Sequence, residues 1–465
     1  MDIIQGIIDW ANGILWGPFM LVILLGTHLY LTFRLKFVQR YIFTAIKLSV
    51  SKDEKAEGDI SPFGALASAL AATIGTGNIV GVSIAVSLGG PGAVLWCWFT
   101  GVFGMATKYA ESLLAVKYRV KTSDGTMIGG PMYTILNGLN MKWLAVLFCV
   151  FTAIAAFGIG NTVQANSVAG VVFKSTGIPN YVTGLFMASL LGLVVLGGVK
   201  AIARVSSALV PFMAILYVLG CVAILIMNGQ WFGETVAMIV TYAFTPQAAG
   251  GGFVGATVMM AARLGVMRGL YSNESGMGSA PIFAAAARSK NPVRQALISM
   301  TGTFWDTVII CPLTGFVIVS SILKDQNIFQ GLEGGAIASA AFSQLPIIGL
   351  PILNIGIVLF AFTTILGWVY YGEKAMEFLF GKSVIKFYRV FYCVLVFFGA
   401  IMSLSVVWGF ADAMNALMVL PNVVSLWMLA KVVSSETEKY LYSGRLDMPS
   451  SDPIPYADNV KNTGK

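Results

Sequence analysis

A helix that crosses a bilayer needs about 20 consecutive apolar residues. The stretch from Ser61 to Gly92, SPFGALASALAATIGTGNIVGVSIAVSLGGPG, supplies them except at its centre, where Gly75-Thr76-Gly77-Asn78 interrupts. Glycine costs about 1 kcal/mol relative to alanine inside a helix. An opened turn in hydrocarbon also frees N–H and C=O groups that must find partners. Two readings of the interruption stand. In one, Gly75, Gly77 and Gly81 are small residues that let two helices pack closely. In the other they mark a broken helix, whose half-helix N–H groups meet an anion and whose free carbonyls meet a cation.

The rest of the chain decides the solvent. It is 57% hydrophobic and 11% charged over 465 residues, with a mean hydropathy of +0.81, which excludes a soluble globular protein. Apolar runs fall near 14–33, 62–88, 91–116, 143–173, 179–198, 205–228, 252–287, 295–323, 347–372, 384–402 and 406–432. These predict an all-α polytopic membrane protein of about eleven transmembrane helices, with lipid as its surroundings and its termini on opposite sides. Segments 34–62, 117–142, 200–204, 288–294, 374–389 and 431–465 hold 24 of the 29 Lys and Arg, whereas the other side holds only Lys174 and Lys324. The excess of basic residues in cytoplasmic loops predicts an outside N-terminus and a cytoplasmic C-terminus in a cell membrane. It also explains the net charge of +8 without a nucleic-acid partner.

The N-terminus lacks the basic region and small-residue cleavage site of a signal peptide, so the first span is expected to be retained. Cys97, Cys149, Cys221, Cys311 and Cys393 all lie in apolar runs and read as packing residues. His28, the single histidine, reads as structural.

Residues 34–55 mix basic and apolar side chains like a helix lying on the inner leaflet, and 233–245, ending at Thr245-Pro246, form a second such candidate. Lys108 and Glu111 share a helix face and predict a salt bridge at a cytoplasmic end. Gly158, Gly160, Asn161, Gln164, Asn166 and Ser167 predict a polar interior beside the fourth span. The seventh run is too long for one straight crossing and contains Gly269-Leu270-Tyr271-Ser272-Asn273-Glu274-Ser275-Gly276-Met277-Gly278-Ser279-Ala280-Pro281. It predicts a second broken helix. With the first span set aside, two groups of five remain, each opening on its broken helix. Odd-numbered groups insert in opposite orientations, as in inverted-repeat transporters. The corresponding segments are 1–60, 61–230, 231–251, 252–432 and a mobile cytoplasmic tail, 433–465.

Enzyme chemistry lacks residues: there is no HExxH and no Cys-His pair. Gly381-Lys382-Ser383 echoes a phosphate loop, but Met376 stands where its upstream glycine belongs. A channel needs a continuous polar ring, whereas the polar residues here gather at two breaks and at the pair Thr363-Thr364. Those hydroxyls either bond back to the preceding turn or act as hard-oxygen ligands. A coupled transporter is the favoured class, with a channel or facilitator as the alternative.

A family resemblance sharpens this expectation. Gly89-Gly90-Pro91-Gly92-Ala93-Val94-Leu95-Trp96-Cys97-Trp98 and the run Gly269 to Pro281 resemble the alanine/glycine:cation symporters of prokaryotes, sodium-coupled carriers within the amino acid-polyamine-organocation superfamily. The resemblance covers roughly residues 60–430 and departs mildly at Leu95 and Cys97, where a Phe and a Met are usual. It implies a five-plus-five inverted repeat with two broken helices, and import of small neutral amino acids by alternating access. By it, the N–H groups of Gly75, Thr76 and Gly77, with Asn78, take the substrate carboxylate. Tyr271, Ser272, Asn273 and Glu274 face the ammonium, Gln164 contributes from span four, and Trp368 bounds the side chain. Sodium takes the carbonyls of Ala71, Ile74 and Phe360 and the hydroxyls of Thr363 and Thr364, five neutral oxygens that suit a hard cation. No resident cofactor is expected, since sodium is cargo. Glu274 and Asp306 keep proton coupling open as the alternative.

Overall fold

The computed structural model describes residues 2–51, 56–246, 256–329, 331–332, 334–402 and 404–457. Helices α1 (Asp2–Leu15) and α2 (Pro18–Arg34) make the first span, hinged where Gly17 is extended and Pro18 takes the first helical position. The inner-leaflet helix is shorter than expected, α3 (Ile42–Ser49), and residues 52–55 of that prediction lie outside the described residues. The interrupted run is α4 (Pro62–Thr73) and α5 (Val82–Gly89), bent by 51° at residues 74–76, after which a wide π-type turn, Gly77–Gly81, leads into α5. The Ser61 hydroxyl caps α4 by accepting from the Gly64 N–H. Next come α6 (Gly92–Lys117), a hairpin of β1 (Val120–Lys121) and β2 (Met127–Ile128), and α7 (Pro131–Leu139). The pair α8 (Lys142–Phe157) and α9 (Val163–Thr176) meets at a second wide turn, Gly158–Thr162. The first group closes with α10 (Asn180–Leu196) and α11 (Gly198–Met227), and α12 (Phe232–Phe244) follows where a surface helix was expected.

The second group opens on α13 (Val258–Asn273) and α14 (Pro281–Ala286), separated by residues 274–280. Then α15 (Pro292–Thr303) and α16 (Cys311–Lys324) flank a third wide turn, Phe304–Ile310, before α17 (Gly335–Phe342), α18 (Gly349–Phe380), α19 (Val384–Ile401), α20 (Leu404–Met428) and α21 (Ala430–Thr437). Each of the eleven apolar runs therefore carries helix among its described residues. By length and composition alone, six helices among the described residues can cross a membrane, or eight if each of two bent pairs is one span. The α10 helix is shorter and apolar. The remaining two, α6 and the α13–α14 pair, carry charge and polarity because they are buried among other helices. Their contact is backbone on backbone: a Cβ at Gly265 of α13 would stand 2.4 Å from the Ala93 carbonyl oxygen of α6.

Three expectations are corrected. Lys108 and Glu111 form no ion pair among the described residues. The Lys108 Nζ is buried without a hydrogen-bond partner, while Glu111 accepts from Asn422 Nδ2 (2.5 Å) and the Gly278 N–H (3.1 Å). The open backbone at 276–278 needs an acceptor, and Glu111 supplies it. Of the span-four amides, Asn161 and Asn166 donate to α19 and residue 402 instead of lining a polar interior: Asn161 to the Tyr392 carbonyl (2.8 Å), Asn166 to those of Gly399 (3.1 Å) and Met402 (2.6 Å). The tail as far as residue 457 is docked. Asn291 Nδ2 donates to the Leu446 and Met448 carbonyls at 2.8 and 2.9 Å, the Ser450 N–H to the Lys290 carbonyl at 2.7 Å, and the Lys121 N–H to the Pro455 carbonyl at 2.9 Å. Main-chain pairing of this kind leaves no apolar period in the sequence. A cavity of about 910 Å³ lies under this strap, between Glu57, Lys117, Arg119, Asp447 and Asp452. The Lys117 ammonium, 2.9 Å from Asp452, holds that carboxyl below the usual carboxylate range.

Candidate functional site

The first break is held open by side chains from four other spans. α4 stops because Ile74 leaves the helix at φ −73°, ψ 95°. The Gly75 N–H then donates to Asn78 Oδ1 at 3.0 Å, so one side chain bridges the opened turn. Gln164, on α9, offers Oε1 to the Thr76 hydroxyl (3.1 Å) and N–H (3.5 Å), and its own Nε2 donates to the Ile159 carbonyl at 3.0 Å. Only glycine fits at 75, because a Cβ there would stand 2.6 Å from Thr364 Oγ1.

That same threonine faces the other side of the turn. Thr364 Oγ1 lies 3.4 Å from the Ile74 carbonyl and donates to the Phe360 carbonyl at 2.9 Å; Thr363 Oγ1 donates to Phe360 at 3.0 Å and lies 3.5 Å from Met213 Sδ. Four of the five expected sodium ligands are thus neighbours, all buried. Ala71 is buried one turn before Ile74. Each hydroxyl bonds back to its own helix, which spends its proton and leaves oxygen lone pairs unused.

The second break lies against the first. The Tyr271 ring packs over Gly77, where a Cβ would meet its Cδ1 at 3.0 Å. Ser272 Oγ donates to Asp306 Oδ2 (2.7 Å), Asn273 Oδ1 accepts from the Ser275 N–H (2.8 Å), and Glu274, in left-handed conformation at φ 55°, accepts from Ser279 Oγ (2.5 Å). Glu274 also interacts with the Trp368 side chain. Trp368 is buried, lies over Gly160 and meets Tyr371 edge-on at 5.4 Å. The ten expected substrate residues come from both breaks, α9 and α18, and contacts tie Thr76 to Gln164 and Gly77 to Tyr271. Three of them, Ser272, Asn273 and Glu274, also use their side chains to hold the second break.

Two partnerships were not foreseen. Asp306, in the wide turn between α15 and α16, accepts from Asn78 Nδ2 (2.6 Å), Ser272 Oγ (2.7 Å) and Thr307 Oγ1 (2.5 Å). One buried carboxylate thereby joins both breaks to a third span. The signal was present as a lone acid in an apolar run. One turn from Tyr271, Arg268 Nη2 pairs with Asp412 Oδ2 at 3.7 Å, linking α13 to α20 on the side away from the basic loops. No spacing in the sequence connects residues so far apart.

The sequence model of the sodium:alanine symporter family matches residues 1–450. An uncharacterized transporter of Haemophilus influenzae is 48% identical over 455 residues, covering 97% of this chain and 99% of that protein. The sodium/alanine symporter AgcS of Methanococcus maripaludis is 47% identical over 447 residues, covering 95% and 98%. Among solved structures, MhsT in complex with L-phenylalanine matches with a TM-score of 0.59 at 16% identity, covering 85% of this chain and 94% of that one. That last similarity is one of fold.

Proposed function

The chain belongs to the sodium:alanine symporter family, and from that premise we propose that it imports alanine and other small neutral amino acids together with sodium, by alternating access at the two breaks. It is a multi-pass membrane transporter. The reading of orientation is an outside N-terminus and a cytoplasmic C-terminus, which makes the basic-loop face cytoplasmic.

One observation carries the coupling. The turn at Ile74–Thr76 points its Ile74 carbonyl at Thr364 and its Gly75 and Thr76 N–H groups at amide oxygens. A cation on the carbonyl side and a carboxylate on the N–H side would then share one peptide segment, so binding either ion orders the turn for the other. The oxygens of Asn78 and Gln164 stand in for carboxylate oxygens. Gln164, at 3.5 Å from the Thr76 N–H, is the weaker of the two and the one a substrate carboxylate displaces.

A zwitterion carried with one sodium moves one net positive charge, worth about 2.3 kcal/mol per 100 mV. A tenfold sodium gradient adds about 1.4 kcal/mol. Sodium-driven alanine uptake into proteoliposomes is therefore expected to accelerate under an inside-negative potassium-valinomycin diffusion potential. Uptake indifferent to that potential would refute one-to-one coupling, and uptake indifferent to sodium would refute the proposal.

Substrate size is set by sterics, because every amino acid shares the carboxylate and ammonium. A pocket gains only about 0.8 kcal/mol per buried methylene, so a stiff wall easily forfeits it. Trp368, locked over Gly160, is the proposed wall. Trp368→Ala is expected to admit valine or leucine and to weaken alanine several-fold. Competition of labelled alanine binding by a ladder of unlabelled amino acids checks this, and an unaltered rank order in folded protein removes Trp368 from the site.

A further inference from the structure

The lead-in to α4 and the exit from α14, one from each broken helix, run side by side at the basic-loop face. The Asp59 and Ile60 N–H groups donate to the Ala286 carbonyl at 2.8 and 3.3 Å, and the Arg288 N–H returns to the Ile60 carbonyl at 2.8 Å. Ile60 and Ala287 form a parallel bridge, and Arg288 Nε adds a bond to the Gly58 carbonyl at 3.3 Å. Gly58, at φ +153°, lies so close that a Cβ would stand 2.4 Å from the Arg288 nitrogen.

Arg119 spans the same seam. It follows α6 at the edge of the hairpin and is 5% exposed. Its Nη1 donates to the carbonyls of Ala285 (3.2 Å) and Ala287 (2.8 Å), and its Nη2 to that of Glu57 (3.1 Å). Carbonyls at the end of a helix lack partners within it and carry partial negative charge, so a guanidinium suits them. Burial pushes the Arg119 guanidinium down to about 10, which leaves it cationic at neutral pH.

The contacts of α4 with the other side of the molecule are of a different kind. Gly64 rests against the Ala203 methyl, and Thr364 reaches Ile74 by a side chain. Even where α18 approaches the α4 backbone, at Gly367 against Ala72, the contact is steric, whereas the seam is a set of buried main-chain and guanidinium hydrogen bonds that must break together.

We propose that the 58–60 and 286–288 seam, pinned by Arg119, makes the cytoplasmic halves of both broken helices a single moving part, so that inward opening carries α4 and α14 together. Arg119 is a positioning residue in this scheme, and the scheme rests on the transport reading above.

A disulfide across the seam tests it. Adjacent paired strands lie about 4.8 Å apart, within disulfide reach. Ile60→Cys with Ala287→Cys, in full-length protein with its five cysteines replaced, is expected to cross-link on oxidation in proteoliposomes. The rate should be the same with and without sodium and alanine, and uptake should stay within about twofold of the reduced protein. Arg119→Gln in the same background should lower uptake at least fivefold, and oxidation of the pair should recover it because the disulfide replaces the pin. Uptake lost on oxidation and restored by reductant, or cross-linking that depends on ligand, would overturn the single-part motion. Failure of the pair to cross-link would remove the seam itself. Absence of sodium-driven uptake in the unlinked parent would instead strike the transport reading, and the ligand-dependence of cross-linking would still judge the seam.

Discussion

Asp306→Ala is expected to reduce sodium-driven alanine uptake at least about 100-fold. The carboxylate takes one donor from the first break, one from the second and one from its own wide turn. Removing it takes the carboxylate acceptor from Asn78, Ser272 and Thr307 and leaves Asn78 and Ser272 only long contacts to the residue-306 carbonyl and the Cys311 sulfur, each loss costing about 1–3 kcal/mol. Even the low end of that sum, about 3 kcal/mol, exceeds a factor of 100. The loss should fall on geometry, because Asn78 also bridges the Gly75 turn and a freed amide no longer holds it. Asp306→Asn keeps an acceptor on one side only and should fall between alanine and the parent. Uptake normalised to folded protein, with thermal unfolding measured alongside, separates a lost site from a lost fold. Folded Asp306→Ala with parental uptake would show that the two breaks do not depend on this carboxylate.

Thr364→Ala should raise the sodium concentration for half-maximal uptake at least tenfold. Its hydroxyl is the proposed ligand nearest the Ile74 carbonyl, and its oxygen also fills the space that a larger residue at 75 would take. Alanine removes one of five hard oxygens and leaves the turn next to Gly75 unsupported. Thr364→Ser retains the oxygen and should stay within about threefold. The neighbouring Thr363, partly directed at Met213 Sδ, makes a useful comparison on the same helix. Sodium dependence unchanged in Thr364→Ala would sink the ion-site assignment and leave the carboxylate side of the turn standing.

The positions of the breaks were legible because they are local. Gly75 to Asn78 and Gly269 to Pro281 interrupt runs that could otherwise cross a bilayer, and each interruption is a helix break in the structure. The wide turns at 158–162 and 304–310 were not legible, since π-type turns need no glycine or proline and Phe304–Ile310 has neither. Lys108 and Glu111 show the opposite failure. Their spacing on one face was real, but Glu111 was claimed by a backbone N–H more than 160 residues away.

By itself, the sequence determined what each segment had to do toward lipid: which runs are helices, where two of them break, and which face is basic. These follow from hydropathy and backbone propensity, which act within a few residues. Tertiary structure alone decided who answers each freed polar group: Gln164 for Thr76, Asp306 for Asn78 and Ser272, Arg119 for the ends of both broken helices, and residues 443–457 for the loop ends beneath them. A buried N–H or C=O must be satisfied, but nothing in its own neighbourhood of the chain specifies by whom. That choice is made by the packing of helices distant in sequence, where steric fit at positions such as Gly75 and Gly265 sets which side chains come within 3 Å.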